Sequence, residues 1–142
     1  MKKLSMLTII ATSLAFAACG QKIDASKVPA NVKASFAKAY PGITAKWEKE
    51  NGKYEVNFKK DGNTMSVLIE TNGNITETET DIKTSDLPAT VLAYVKEHYA
   101  GKKIKEAAKL VKADGSVNYE AEVNGKDVIF DANGKFIKEA KD

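Results

Sequence analysis

Apolar residues recur every fourth position in two places: Val28, Val32, Phe36 and Tyr40, then Leu87, Val91, Val95 and Tyr99, 59 positions further on. Each set lays one apolar stripe along a helix. Pro29 and Pro88 suit a first helical turn, where a missing N–H costs nothing. Gly42 and Gly101 suit the left-handed position beyond the helix end. Each predicted helix is therefore about three turns long. After each one the periodicity changes to alternation, interrupted by Asx-Gly pairs: Asn51-Gly52, Asp61-Gly62 and Asn72-Gly73 in the first half, Asp114-Gly115, Asn124-Gly125 and Asn133-Gly134 in the second. Asx-Gly between alternating segments is a hairpin signal, so the chain reads as an internal duplication of one α+β unit, a helix followed by a four-stranded antiparallel meander.

Two-residue turns fix which residues face one another. Closing Asn51-Gly52 pairs Trp47 with Val56, and closing Asp61-Gly62 pairs Val56 with Val67, Phe58 with Met65 and Tyr54 with Ile69. In the second unit Asp114-Gly115 sets Leu110 against Tyr119 and Ala108 against Ala121, while Asn124-Gly125 sets Ala121 against Val128 and Tyr119 against Phe130. The third turn of each unit needs a three-residue loop with a glycine bulge, which pairs Ile69 with Ile75 and Phe130 with Phe136. That choice leaves Glu77 and Glu79 on the face of Ile75, on a strand end running past the helix into a linker at 81–86. Trp47 falls on the helix-covered side and is assigned to the core.

The other sheet face is expected to be open. From the first unit it should carry Lys46, Glu55, Asn57, Leu68 and Glu70, and from the second Lys109, Glu120, Glu122, Ile129 and Asp131. Leu68 and Ile129 are branched aliphatics at equivalent strand positions, which makes a case for a contact patch. These ten residues are the candidate binding set.

The N-terminus bears on location. Lys2 and Lys3 precede an apolar run from Leu4 to Ala18, too short for a spanning helix and of the form of a secretory signal. Phe16-Ala17-Ala18-Cys19 resembles a lipobox, with Cys19 lipidated and holding the domain at a membrane. The alternative is ordinary signal cleavage at Ala15-Phe16-Ala17, which leaves a free thiol. The expected division is a signal at 1–18, a lipidated cysteine and polar tether at 19–26, and repeats at 27–84 and 85–142 forming one domain. Repeats this small are marginal alone and, without a disulfide, are expected to pool one core.

Composition narrows the chemistry. The chain has 22 basic residues, all lysine, against 19 acidic ones. With no guanidinium fork and no basic stripe, nucleic-acid binding is not expected. His98 is the single histidine and Cys19 the single cysteine. Neither a Ser-His-Asp or Cys-His arrangement nor a histidine-rich metal set is expected with Cys19 lipidated, and no cofactor is expected. His98 belongs in the last turn of the second helix, where the dipole favours a cation. Glu120 and Glu122, two apart on one face, suit acid–base work or a hard cation, but a cross-strand pair of Lys109 with Glu120 is the plainer account.

The residues that open and close the helices (Val28-Pro29, Leu87-Pro88, Tyr40-Pro41-Gly42), with Tyr54-Glu55-Val56-Asn57-Phe58 and the segment Val128 to Lys135, resemble the PepSY-like, beta-lactamase-inhibitor-like periplasmic proteins. The resemblance runs from Lys27 to Lys138. It implies a noncatalytic fold with two sheets side by side and an exposed, often concave face, but not beta-lactamase inhibition, for which no contact motif can be matched. The leading functional expectation is a noncatalytic lipoprotein of the cell envelope that docks a protein or peptide on the open face, as an inhibitor or sensor. The second is small-molecule or cation binding in the cleft between repeats, and the third an enzyme of carboxylate-only chemistry.

Overall fold

The computed structural model describes residues 20–141. The predicted signal and Cys19 lie outside them. The elements run β1 (Gln21–Ile23), a 3-10 turn (Ala25–Lys27), α1 (Ala30–Ala39), β2 (Lys46–Glu50), β3 (Lys53–Lys60), β4 (Asn63–Ile69) and β5 (Ile75–Ile82). A second 3-10 turn (Thr84–Asp86) then leads to α2 (Ala89–His98), β6 (Ile104–Lys112), β7 (Val117–Val123), β8 (Lys126–Asp131) and β9 (Phe136–Lys141). Among the described residues the nine strands form one antiparallel sheet in sequence order. Two elements differ from expectation. The polar segment after Cys19 is not a tether, because its Ile23 lies opposite Trp47 and adds β1 to the sheet edge. The segment at 81–86 is not simply a linker, because β5 continues through Asp81 and Ile82 and pairs with β6.

Each helix covers its own apolar cluster on the same side of this sheet. Val32 and Phe36 pack on Trp47, Val56, Phe58, Val67 and Ile69, and Phe36 meets Trp47 and Phe58 edge-on at 5.6 and 5.2 Å between ring centroids. Val91 and Val95 pack on Ala107, Ala121, Val128 and Phe130. Trp47 is core, as predicted. One pooled core is not: the clusters are separate, and Ile82, from the last strand of the first unit, packs against the second. The paired β5 and β6 backbones join the halves.

Backbone dihedrals sort the six Asx-Gly turns into two kinds. At Asn51, Asp61 and Asn124 the Asx residue itself has positive φ, between 47° and 57°, as a two-residue hairpin requires. At Asn72, Asp114 and Asn133 only the following glycine does. These three are three-residue loops, each with two backbone hydrogen bonds near 2.9 Å, such as Lys112 N–H to Ser116 O and Gly115 N–H to Lys112 O. The bulge expected at the third turns is present: Ile69 faces Ile75, Phe130 faces Phe136, and the pairing shifts by one residue beside each.

That shift corrects a predicted face. Leu68 pairs with Glu77 and Ser66 with Glu79, so both glutamates turn to the open side and away from Ile75. The turn at Asp114-Gly115 corrects another. With a third loop residue, Lys109 faces Tyr119, Leu110 faces Asn118 and Ala108 faces Glu120. Hence Lys109 lies on the helix side, Leu110 and Ala108 on the open side, and the proposed Lys109–Glu120 pair does not form.

The third turn of each unit tucks beneath the start of its helix. Asn31 Nδ2 donates to Thr71 O at 2.8 Å, and Thr90 Oγ1 donates to Asn133 O at 2.9 Å. A Cβ on Gly134 would come within 1.9 Å of Thr90 Oγ1 and 2.9 Å of Thr90 Cβ, whereas one on Gly115 would meet nothing within 4 Å. Both glycines have positive φ and share a backbone penalty of about 1 kcal/mol on substitution. Overpacking adds roughly 1–3 kcal/mol at Gly134 alone. Gly134→Ala should therefore lower the thermal midpoint clearly more than Gly115→Ala in parallel melts, and equal losses would mean the turn is not seated under the helix.

Candidate binding face

Following the register across the sheet gives the composition of the side without helices. One row reads Lys22, Glu48, Glu55, Leu68, Glu77, Lys112. The next reads Lys46, Asn57, Ser66, Glu79, Leu110, Asn118, Asp131. In the second half a third row joins Asp81, Ala108, Glu120, Ile129 and Lys138, and a fourth joins Glu106, Glu122, Asp127 and Ala140. Eight of the ten predicted site residues thus lie in these rows.

This face is curled rather than flat. Ala108, Leu110 and Ile129 retain only 4, 5 and 7 % of their exposure although no helix lies over them. Glu50 of β2 and Lys138 of β9, near opposite edges of the sheet, border one depression of about 390 Å³. Strand twist and three interruptions of register, beside Leu68/Ile69, Ile104/Glu106 and Ile129/Phe130, supply the curvature. The helices accordingly ride on the convex side. Leu68, Leu110 and Ile129 form the apolar part of the depression, bordered by Glu50, Glu77, Glu120 and Asp127 with Lys112 and Lys138. It lies across the junction of the repeats.

The ten predicted residues divide by what holds them. Leu68, Glu120 and Ile129 line the depression. Ile129 is buried there, not exposed as expected. Lys46, Glu55 and Asn57 lie on the same face toward β2 and β3. Glu122 is buried and accepts from Lys105 Nζ at 3.1 and 3.3 Å, a structural ion pair beside the β6 bulge. Asp131 Oδ1 accepts from the N–H groups of Asn133 and Lys135, both at 2.9 Å, and so shapes the last turn. Glu70 lies just past β4, with Lys53 Nζ at 3.8 Å. Lys109 is on the helix side. His98 Nδ1 lies 3.0 Å from Tyr94 O, and the ring stacks on Tyr94 in the last turn of α2. Among the described residues no group of three or more His, Cys, Asp or Glu side chains is placed to hold a metal ion.

Sequence reasoning missed Glu77, Glu79, Asp81 and Leu110 as face residues. Glu79 carries a strongly perturbed carboxyl on the face: burial, then the charges of Asp81, Glu55, Glu77 and Asp127, push it up to about 7. Glu55 is also raised, by burial and by Glu48 and Glu50, against a hydrogen bond from Asn57. The missed signal was the unbroken alternation Glu77, Glu79, Asp81. It belongs on a central strand only if the acidic side faces outward.

The chain matches, over residues 17–77 and again over 63–138, the family described as "Putative beta-lactamase-inhibitor-like, PepSY-like". It belongs to that family. Among solved structures, a BLIP-like protein from Bacteroides fragilis is 26% identical with a TM-score of 0.63, over 78% of this chain and 84% of that one. A DUF2874 family protein from Bacteroides ovatus is 24% identical with a TM-score of 0.70, over 80% and 86%. A protein from Bacteroides eggerthii, described as periplasmic, shares the fold at 15% identity with a TM-score of 0.72, over 80% and 88%. No functionally curated protein matches the chain at a significant level.

Glu79 makes stability depend on pH. Its value rises from 4.5 to about 7 on folding, so the folded state holds the proton more tightly than the unfolded chain. The stability this contributes is complete below pH 4.5 and is lost as pH rises through 7, a difference of about 3 kcal/mol at most. Glu79→Gln should match the wild type in denaturant titrations at pH 4 and exceed it by up to that amount at pH 8. A pH-independent difference would place the glutamate in solvent.

Proposed function

We propose that this protein is a noncatalytic binding module of the cell envelope that docks a segment of another protein, or a peptide, in its concave sheet face. The observation that carries this reading is the depression itself, where Leu68, Leu110 and Ile129 meet on a sheet face that no helix covers. Leu68, the half-buried member of this group, gains by further burial of what it leaves exposed, at about 25 cal/mol per Å². The family's inhibitor-like description and its resemblance to a BLIP-like protein support binding over catalysis. The periplasmic description of a relative with the same fold, with the signal-like N-terminus, supports an envelope location. On this reading residues 1–18 are the signal, Cys19 carries a lipid, and 27–84 and 85–142 are two repeats of one domain.

The size of the depression favours a second reading, a small organic ligand at the junction of the repeats. At about 390 Å³ it falls within the range of small-molecule pockets. The two readings part on how much of the face matters, since a docked segment extends to Glu55 and Asn57 while a small ligand does not.

Leu68→Lys introduces a charge at a half-buried position whose docking requires desolvation. Recovery of partners from an envelope fraction should fall by roughly tenfold or more, corresponding to at least about 1.4 kcal/mol. Val111→Lys, on the convex side, should leave recovery unchanged. Equal recovery by wild type and Leu68→Lys would remove the concave face from consideration.

The anchor is tested separately. Cys19→Ala should move the processed protein from the membrane to the soluble fraction, and retention in the membrane would exclude lipidation as the means of attachment.

A further inference from the structure

The concave face combines its apolar floor with an excess of negative charge, although the whole chain carries a formal charge of +3. Carboxylates occupy the middle of the face: Glu77, Glu79 and Asp81 follow one another on β5, and Glu55, Glu120 and Asp127 flank them. Of the lysines on this side, Lys22 and Lys138 lie on the edge strands β1 and β9, while Lys112 lies on β6 opposite Glu77. Around the depression four carboxylates, Glu50, Glu77, Glu120 and Asp127, stand against Lys112 and Lys138. Other lysines lie elsewhere, among them Lys33, Lys38 and Lys96 on the helices and Lys109 on the convex side. The chain thus segregates its charge, and low-dielectric concave walls concentrate the resulting field.

We propose that the concave face receives an extended peptide segment with an apolar residue between lysines or arginines, the apolar side chain over Leu68, Leu110 and Ile129 and the cations beside Glu77 and Asp127. This inference rests on the binding reading above and adds the chemistry of the partner. Charge complementarity selects the sign, because an acidic segment would be repelled by every row of the middle strands. Nucleic acids and anionic lipid surfaces are repelled for the same reason. The apolar floor selects a peptide over a simple polyamine, which has no side chain to bury there. The elevated carboxyl of Glu79 agrees with this arrangement: burial first, then the charges of Asp81, Glu55, Glu77 and Asp127, oppose its ionisation, and a docked cation relieves the part that comes from those charges.

The test uses the Cys19→Ala chain, exported and processed, with ¹⁵N-detected titrations of three acetylated, amidated pentapeptides: Ser-Lys-Leu-Lys-Ser, Ser-Glu-Leu-Glu-Ser and Ser-Lys-Ser-Lys-Ser. The first should shift amide signals around Leu68, Leu110 and Ile129. Raising salt from 50 to 300 mM should weaken it several-fold, as expected of partly screened charges. The double variant Glu77→Gln with Asp127→Asn, checked for a dispersed spectrum, should weaken it by roughly tenfold. The acidic peptide should not shift those signals, and the leucine-free peptide should bind at least several-fold more weakly. Absence of shifts with Ser-Lys-Leu-Lys-Ser at millimolar concentration overturns the inference, as does equal binding of either control or indifference to the double variant. An acidic peptide that binds at these same residues would overturn the charge assignment while keeping the concave face as a docking surface. Undiminished envelope capture by Leu68→Lys would instead overturn the face itself.

Discussion

Neither repeat covers both sides of its own strands, and the antiparallel pairing of Glu77–Ile82 with Ala107–Lys112 gives two half-covered units a common face. Without that ladder, β5 and β6 would be edges with unpaired N–H and C=O groups, and the halves would be tied mainly by one chain crossing and Ile82. With it, the apolar clusters under α1 and α2 stabilise separate ends of one sheet, and the curvature accumulates over nine strands. Leu68 of the first unit and Leu110 and Ile129 of the second come together because of this pairing. The binding face is a property of the duplication, not of either repeat.

The helices, strands β2 to β4 and the bulged third turns were legible in the sequence because each rested on two agreeing signals. The stripe from Val28 to Tyr40 was bounded by Pro29 and Gly42, and the turns at Asn51-Gly52 and Asp61-Gly62 put the same residues of β3 on the apolar side. The second half of β6 carried no such check. Ala107, Ala108, Leu110 and Val111 are apolar on both sides of the strand, so alternation could not distinguish a two-residue from a three-residue loop at Asp114-Gly115. One residue of slip exchanged Lys109 for Leu110. The backbone resolves it, since Asp114 does not share the positive φ of Asn51, Asp61 and Asn124.

The site was legible in part for a related reason. Leu68, Glu120 and Ile129 follow from registers that hold, and they do line the depression. Glu77, Glu79 and Asp81 were lost because their strand was read as leaving the sheet. A chain of acidic and threonine residues resembles an exposed end until a partner strand is known, and that partner, β6, lies some thirty residues on. Long-range pairing is the information that local patterns lack. Curvature was equally hidden, and with it the burial of Ile129, which a flat sheet would have left in solvent.

The strand formed by Gln21–Ile23 changes what an attachment at Cys19 would mean. Its pairing with β2 begins at Gln21, opposite Lys49, so Gly20 alone separates Cys19 from the ladder. One residue spans at most about 3.6 Å, compared with about 25 Å for an extended seven-residue tether. A lipid at Cys19 would therefore hold the sheet by its first edge, close against the bilayer, with little freedom to tumble. Which way the hollow side points, along the membrane or away from it, would then be fixed by the pitch of one short strand. Reach toward a partner would come from the partner.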